Sequence, residues 1–235
     1  MNGPWTDGPR ELIQHAVDHL ALGGDFDRRV AMVSIDNAVE LTIKTYLGLP
    51  KRARGSEGPG RKELEAASES FSGLLDLLEK YASQWIVGLS LDDIEWYHRL
   101  RNQLYHSGNG ITVEMAKAET YLELAISLFE SLFGAPPALQ RDSAMQTKTG
   151  QFLQLWVKFE RGLQAQLPPK EDKPAYLWRR DYLKTLSPNA VQLINSVSMF
   201  RNDLIHGIST PDTKEMEFMI AELKKLMAIA KIDIA

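Results

Sequence analysis

The chain has 235 residues, a formal net charge of -4 and no cysteine. With 44% hydrophobic and 25% charged residues it can build a real core and is neither disordered nor membrane-like. The acidic balance excludes a broadly basic nucleic-acid footprint, so any nucleic acid must be gripped locally, and the missing cysteine excludes disulfides and thiolate metal sites and fits a reducing compartment.

The chain opens Met1-Asn2-Gly3-Pro4-Trp5, without the basic-then-apolar order of a signal peptide. No apolar run approaches the roughly 20 residues of a membrane helix, so the expected setting is cytoplasmic, with no membrane partner. Helical spacing predicts helices over 9–22 and 26–48. In the first, His15 and His19 stand four apart, a spacing that can bind metal. No third ligand accompanies them, so they read as a solvated helix face and no metal is expected. The second ends at Gly48-Leu49-Pro50. Within it Glu40 either faces a site or is buried with Lys44 as its i,i+4 partner. Lys51–Gly60 is a Gly/Pro-rich stretch carrying Lys51, Arg52 and Arg54. It reads either as a contact for an RNA backbone or as a mobile surface loop.

Helices follow at 61–84, 90–107 and 112–133, until Gly134-Ala135-Pro136-Pro137 stops the pattern. The polar stretch beyond it predicts a linker over 135–148. Further helices are expected over 149–166, 174–186, 189–207 and 212–231. In the second of these Trp178-Arg179-Arg180 can stack a base and hold a phosphate, though helix packing with exposed charges is the preferred reading. No segment alternates with period two, so the fold class is all-α. The expected organisation is an N-terminal helical domain over 1–134 and a C-terminal one over 149–235.

One six-residue pattern occurs twice, as Arg101-Asn102-Gln103-Leu104-Tyr105-His106 and Arg201-Asn202-Asp203-Leu204-Ile205-His206. The copies lie 100 positions apart. At that offset Leu91, Ile94, Tyr97, Leu100 and Leu104 meet Val191, Ile194, Val197, Phe200 and Leu204, so two helices bury matching faces. A second long helix follows each copy, with Met115, Ala118, Leu122, Ala125 and Phe129 in one and Met216, Met219, Leu223, Leu226 and Ala230 in the other. Their 3-4 spacing is a seam for antiparallel packing. The chain therefore reads as two diverged copies of one helical unit, packed as a pseudo-dimer.

Each motif ends a helix, since glycine follows His106 at Gly108 and follows His206 at Gly207. The negative end of the helix dipole favours a protonated imidazole there. Arginine offers phosphate a fixed fork of donors, and histidine moves protons near neutral pH. Two such clusters facing one phosphodiester suit RNA cleavage without metal or cofactor, because the substrate brings its own nucleophile, the 2′-hydroxyl. The arginines hold the developing charge while the histidines take and give the proton. His98 shares a face with Asn102 and His106, and either extends the site or packs beside Trp96. It is counted with Tyr105, Lys51, Arg52 and Arg54 among the RNA-contacting candidates.

The Arg-x4-His signature with Asn after Arg, at a helix end in an all-helical unit, resembles the HEPN superfamily. Asp36-Asn37-Ala38-Val39-Glu40-Leu41-Thr42-Ile43-Lys44 is similar to the first core helix of such domains. The resemblance covers about 25–134 well and 149–231 more loosely. It implies two HEPN-like bundles and a metal-independent endoribonuclease that leaves cyclic-phosphate ends, with roles in toxin–antitoxin or anti-phage defence and a regulatory protein partner. Carried across by position, the catalytic set is Arg101, His106, Arg201 and His206, supported by Asn102 and Asn202. The alternative is a non-catalytic module that binds RNA or a nucleotide, or docks a partner; a homodimer is as open as an intrachain pseudo-dimer. HEPN toxins controlled by a nucleotidyltransferase often carry Tyr two residues after the histidine. Gly108 and Ile208 stand there, so that modification is not expected.

Overall fold

The computed structural model describes residues 3–106, 112–140, 148–167 and 175–233, without the side chains of 105, 106 and 175–178. Among these residues every regular element is helical, and no helix is long and apolar enough to cross a membrane. The chain divides into two compact units, Met1–Ser143 and Ala144–Ala235.

In the first unit a short 3-10 turn, Pro4–Thr6, leads into α1 (Asp7–Leu22), α2 (Asp25–Gly48), α3 (Lys51–Arg54), α4 (Arg61–Ala67), α5 (Phe71–Ala82), α6 (Leu91–His106) and α7 (Met115–Phe133). Helix α2 is central and packs against α1, α4, α5, α6 and α7. Its Met32, Ile35, Val39, Ile43 and Tyr46 are buried at 3-4 spacing. The α7 seam is also present, with Ala118, Leu122, Ala125 and Phe129 buried.

Three expectations change. The single helix over 61–84 is two helices, because the chain leaves α4 at Ser68 and restarts at Ser70, whose hydroxyl accepts from the Gly73 N–H at 3.1 Å. The stretch Lys51–Gly60 is not all loop: Pro50 sits at the N-cap of the four-residue α3, and Gly55 ends it in the left-handed region at φ 77°. The first part of the expected linker belongs to the first unit. Gln140 and Gln14 exchange hydrogen bonds, Gln140 N–H to Gln14 Oε1 at 2.7 Å and Gln14 Nε2 to the Gln140 carbonyl at 3.1 Å. Residues 141–147 lie outside the described residues.

The second unit comprises α8 (Lys148–Gln166), α9 (Ala175–Leu186), α10 (Ala190–His206) and α11 (Thr213–Ile229). Helix α11 packs on α8 and α10, and α9 on α10. Met216, Met219, Leu223, Leu226 and Ala230 are all buried, as the seam predicts. Asp212 starts α11 with a capping box: its carboxylate accepts from the Glu215 N–H at 2.8 Å, and Glu215 accepts from the Asp212 N–H at 3.0 Å. Gly162 lets the end of the chain close on α8, since a Cβ there would stand 2.6 Å from Ile232.

Candidate active site

In the first unit the motif rides on α6. Helical register sets His98, Asn102 and His106 at four-residue steps along one face, with Arg101 beside them. Across from this face, α2 presents Asp36. This carboxylate is fully buried, and a buried charge survives only when paired and hydrogen-bonded. Three side chains meet that need. Arg101 donates through Nε to Oδ2 at 2.6 Å and through Nη2 to the same oxygen. His98 approaches with Nδ1 3.0 Å from each carboxylate oxygen. The hydroxyl of Tyr121, from α7, donates to Oδ1 at 2.8 Å. Burial alone pushes the Asp36 carboxyl up, but the His98 hydrogen bond, the Arg101 charge and Tyr121 outweigh it and hold it below the usual carboxylate range. Tyr121 is pushed well up by its own burial and by the adjoining Asp36 charge. Phe71, the first residue of α5, stacks on the imidazole of His98, with ring centroids 3.9 Å apart and planes 6° from parallel.

One more contact leaves the cluster: Arg101 Nη1 donates to Asn102 Oδ1 at 2.9 Å. The second unit repeats it, with Arg201 Nη1 donating to Asn202 Oδ1 at 3.2 Å. There the buried carboxylate is Glu160 of α8. It forms an ion pair with Arg179 of α9. Arg201 is buried, and its guanidinium lies 5.7 Å from the centre of the Trp156 ring. Burial pushes the Glu160 carboxyl up, and the charges of Arg179 and Arg201 oppose the shift without cancelling it. His206 sits in the last turn of α10, before Gly207 in the left-handed region at φ 62°. The Ile208 N–H closes that end on the Asp203 carbonyl at 2.9 Å.

The structure thus brings Arg101, Asn102 and His98 together in one unit, and Arg201 with Asn202 in the other. The side chains of His106 and Tyr105 lie outside the described residues. Of the basic stretch, Lys51 is exposed and paired with Glu57, and Arg52 is exposed. Arg54 differs from these two in being buried. It is 5% exposed, and its Nη1 donates to the Leu47 carbonyl at 2.7 Å, closing the C-terminal end of α2. Arg179 is likewise no exposed charge, because Glu160 holds it. His15 and His19 turn toward α2: His15 Nδ1 lies 2.9 Å from Ser34 Oγ and His19 Nδ1 lies 3.0 Å from Asp27 Oδ1. Lys44 donates to Glu40 at 2.5 Å, the i,i+4 arrangement. Among the described residues no group of three or more His, Asp or Glu side chains is placed to hold a metal ion. A cleft of about 460 Å3, lined by Pro4, Asp7, Arg10, Phe129 and Pro137 among others, contains no motif residue.

Asp36 and Glu160 are the carboxylates beside the motif arginines that motif reading misses. Each had a signal: an acidic side chain at an apolar position of a helix, Asp36 beside Ile35 and Val39 and Glu160 between Trp156 and Leu163. Comparison with protein-family models, with curated proteins and with solved structures gave no match.

Proposed function

We propose that the chain is a metal-independent endoribonuclease that cuts single-stranded RNA through its two Arg-Asn-x-Leu-x-His motifs, in a prokaryotic defence or stress response. The observation that carries this reading is a relay found in both units. A buried carboxylate stands beside the motif arginine, and the arginine holds the asparagine by its amide oxygen. The amide nitrogen is left as the donor, on side chains that are half-buried at Asn102 and exposed at Asn202. A donor fixed before the substrate arrives stabilises developing phosphoryl charge without reorganisation.

The arginines act here as positioning residues, and the amides touch the phosphate. This differs from the direct guanidinium grip that the motif alone suggests. The 2′-hydroxyl attacks the adjoining phosphorus and the 5′-oxygen leaves, with His106 and His206 moving protons. The products are a 2′,3′-cyclic phosphate and a free 5′-hydroxyl.

A second reading is a module that binds RNA without cutting it. It is favoured by the occupancy of Arg101, whose Nε and Nη2 face Asp36 while Nη1 faces Asn102. Incubation of labelled single-stranded RNA with the protein in EDTA decides between the two. Cleavage leaving cyclic-phosphate ends, reduced about a hundredfold or more in His106→Ala and in His206→Ala, supports the nuclease. Retention of RNA with no cleavage supports the binding module. Equal effects of the two single variants and of the double variant would indicate that both motifs serve one reaction.

A further inference from the structure

We infer that His98 is a catalytic base of the first unit, taking the proton of the attacking 2′-hydroxyl on its Nε2. This rests on the ribonuclease reading above and adds a proton-transfer residue outside the repeated motif. Three observations carry it.

The first is the tautomer. Asp36 accepts from Nδ1 at 3.0 Å, so Nδ1 carries the hydrogen and the neutral ring has its lone pair on Nε2. A carboxylate behind an imidazole fixes its orientation and stabilises the imidazolium that forms when Nε2 takes a proton. The second is placement. The His98 side chain is 16% exposed, and among the described residues Nε2 has no protein partner and is not sealed from solvent. Phe71 covers one ring face and holds the plane. The groups facing the imidazole are thus Asp36 from α2, Phe71 from α5 and Arg101 from its own helix, while Tyr121 from α7 braces the carboxylate.

The third is that packing does not require histidine there. At the matching position of α10 the residue is Ser198, and Val197 is buried beside it as Tyr97 is in α6. Asp36 is moreover already engaged by two arginine nitrogens and a tyrosine hydroxyl.

Asn102 lies one turn further along, about 6 Å of helical rise. A phosphoryl oxygen held by the Asn102 amide sets the neighbouring ribose beside His98. The step balances simply. The 2′-oxygen loses its proton to Nε2 and forms the new bond to phosphorus. The bond from phosphorus to the 5′-oxygen breaks, and that oxygen keeps the pair and takes a proton from water or a motif histidine. The imidazolium then returns its proton to solvent.

The test is His98→Asn in the full chain. The asparagine amide nitrogen overlies Nδ1 of histidine, so the hydrogen bond to Asp36 is kept while Nε2 is removed. His98→Gln is the companion variant, and thermal melts verify that both fold. Cleavage of single-stranded RNA in EDTA is expected to fall by about two to four powers of ten in both variants. KM is expected to stay near the wild-type value, the acidic limb of the pH–rate profile to disappear, and added imidazole to restore part of the rate. A folded His98→Asn protein that cleaves within about threefold of wild type, with the acidic limb intact, overturns the inference. If His106→Ala still abolishes cleavage in that case, the ribonuclease reading stands without it. Wild-type protein that leaves RNA uncut in EDTA overturns both.

Discussion

Asp36 in the first unit collects hydrogen bonds from Arg101, His98 and Tyr121, whereas Glu160 in the second is met by the ion pair with Arg179 and the nearby charge of Arg201. Both carboxylates are buried, and both stand behind a motif arginine. Their protonation preferences nevertheless diverge, Asp36 below the usual carboxylate range and Glu160 above it. Proximity of a cation does not decide the outcome; desolvation wins unless enough donors reach the charged form. The same motif can therefore be built on a fully compensated anion in one unit and on a strained one in the other. Among the described residues, only the compensated unit adds a histidine at that carboxylate.

The largest expected effect is that of Asp36→Asn. It keeps the shape but strips the charge facing Arg101, leaving a half-buried cation without its counterion, and is expected to cost about 3–5 kcal/mol. Urea unfolding measures it. The sign with pH follows from the lowered value. The contribution of Asp36 is fully present above the unfolded carboxylate value of about 3.9 and is lost as pH falls through the lower folded value. The gap between wild type and variant should therefore close in acid. A gap that persists unchanged into strong acid would show that charge is not what Asp36 supplies.

Tyr121→Phe comes next. It removes one donor to a charged acceptor and leaves the ring stacked on Tyr97, where the centroids are 4.5 Å apart. A loss of about 1.5–3 kcal/mol is expected in the same unfolding measurement. If the loss is nil, the compensation of Asp36 rests on Arg101 and His98 alone.

Much of this architecture is legible in the chain. The 3-4 apolar spacing marks α7 and α11, and the glycine after His206 ends α10 as expected. The break between α4 and α5 is not legible by spacing, because apolar periodicity runs through it and only the Ser70 cap interrupts it. The motif arginines are visible, but which carboxylate each one meets is not: Asp36 lies 65 positions before Arg101, and contact across that distance is set by how α2 crosses α6. Arg54 shows the converse. Its neighbours Lys51 and Arg52 have the same composition and face outward, and only the turn at Gly55 sends Arg54 back to the α2 carbonyls. Charge in a sequence marks candidates, and the chain path decides which are buried.

Glu160→Gln should behave oppositely to Asp36→Asn. A raised carboxyl binds its proton more tightly in the folded state. Wild type therefore loses stability as pH rises from the unfolded glutamate value, about 4.3, through the higher folded one. Gln resembles the protonated side chain. The variant is expected to lie within about 1 kcal/mol of wild type at neutral pH and to gain on it as pH rises through the carboxylate range. Thermal melts at acid and neutral pH give the sign. A variant that loses ground with rising pH would mean that Glu160 is as well compensated as Asp36, and the contrast between the units would vanish.

The smallest effect on stability, and the sharpest on function, belongs to the asparagines. Asn202 is exposed and Asn102 half-buried, so Asn202→Ala should change stability by no more than about 0.5 kcal/mol. If their amides meet the phosphate, removing one such donor should lower cleavage by about a hundredfold with the fold intact. The two positions should not be equal. Asn102 shares a face with His98 and is held by an arginine that Asp36 fixes through two nitrogens, whereas Asn202 has Ser198 one turn before it. Asn102→Ala is therefore expected to lose more activity than Asn202→Ala, measured as kcat/KM on one RNA oligonucleotide. Equal losses would spread the chemistry evenly over both motifs, and the difference between the two buried carboxylates would then bear on stability alone.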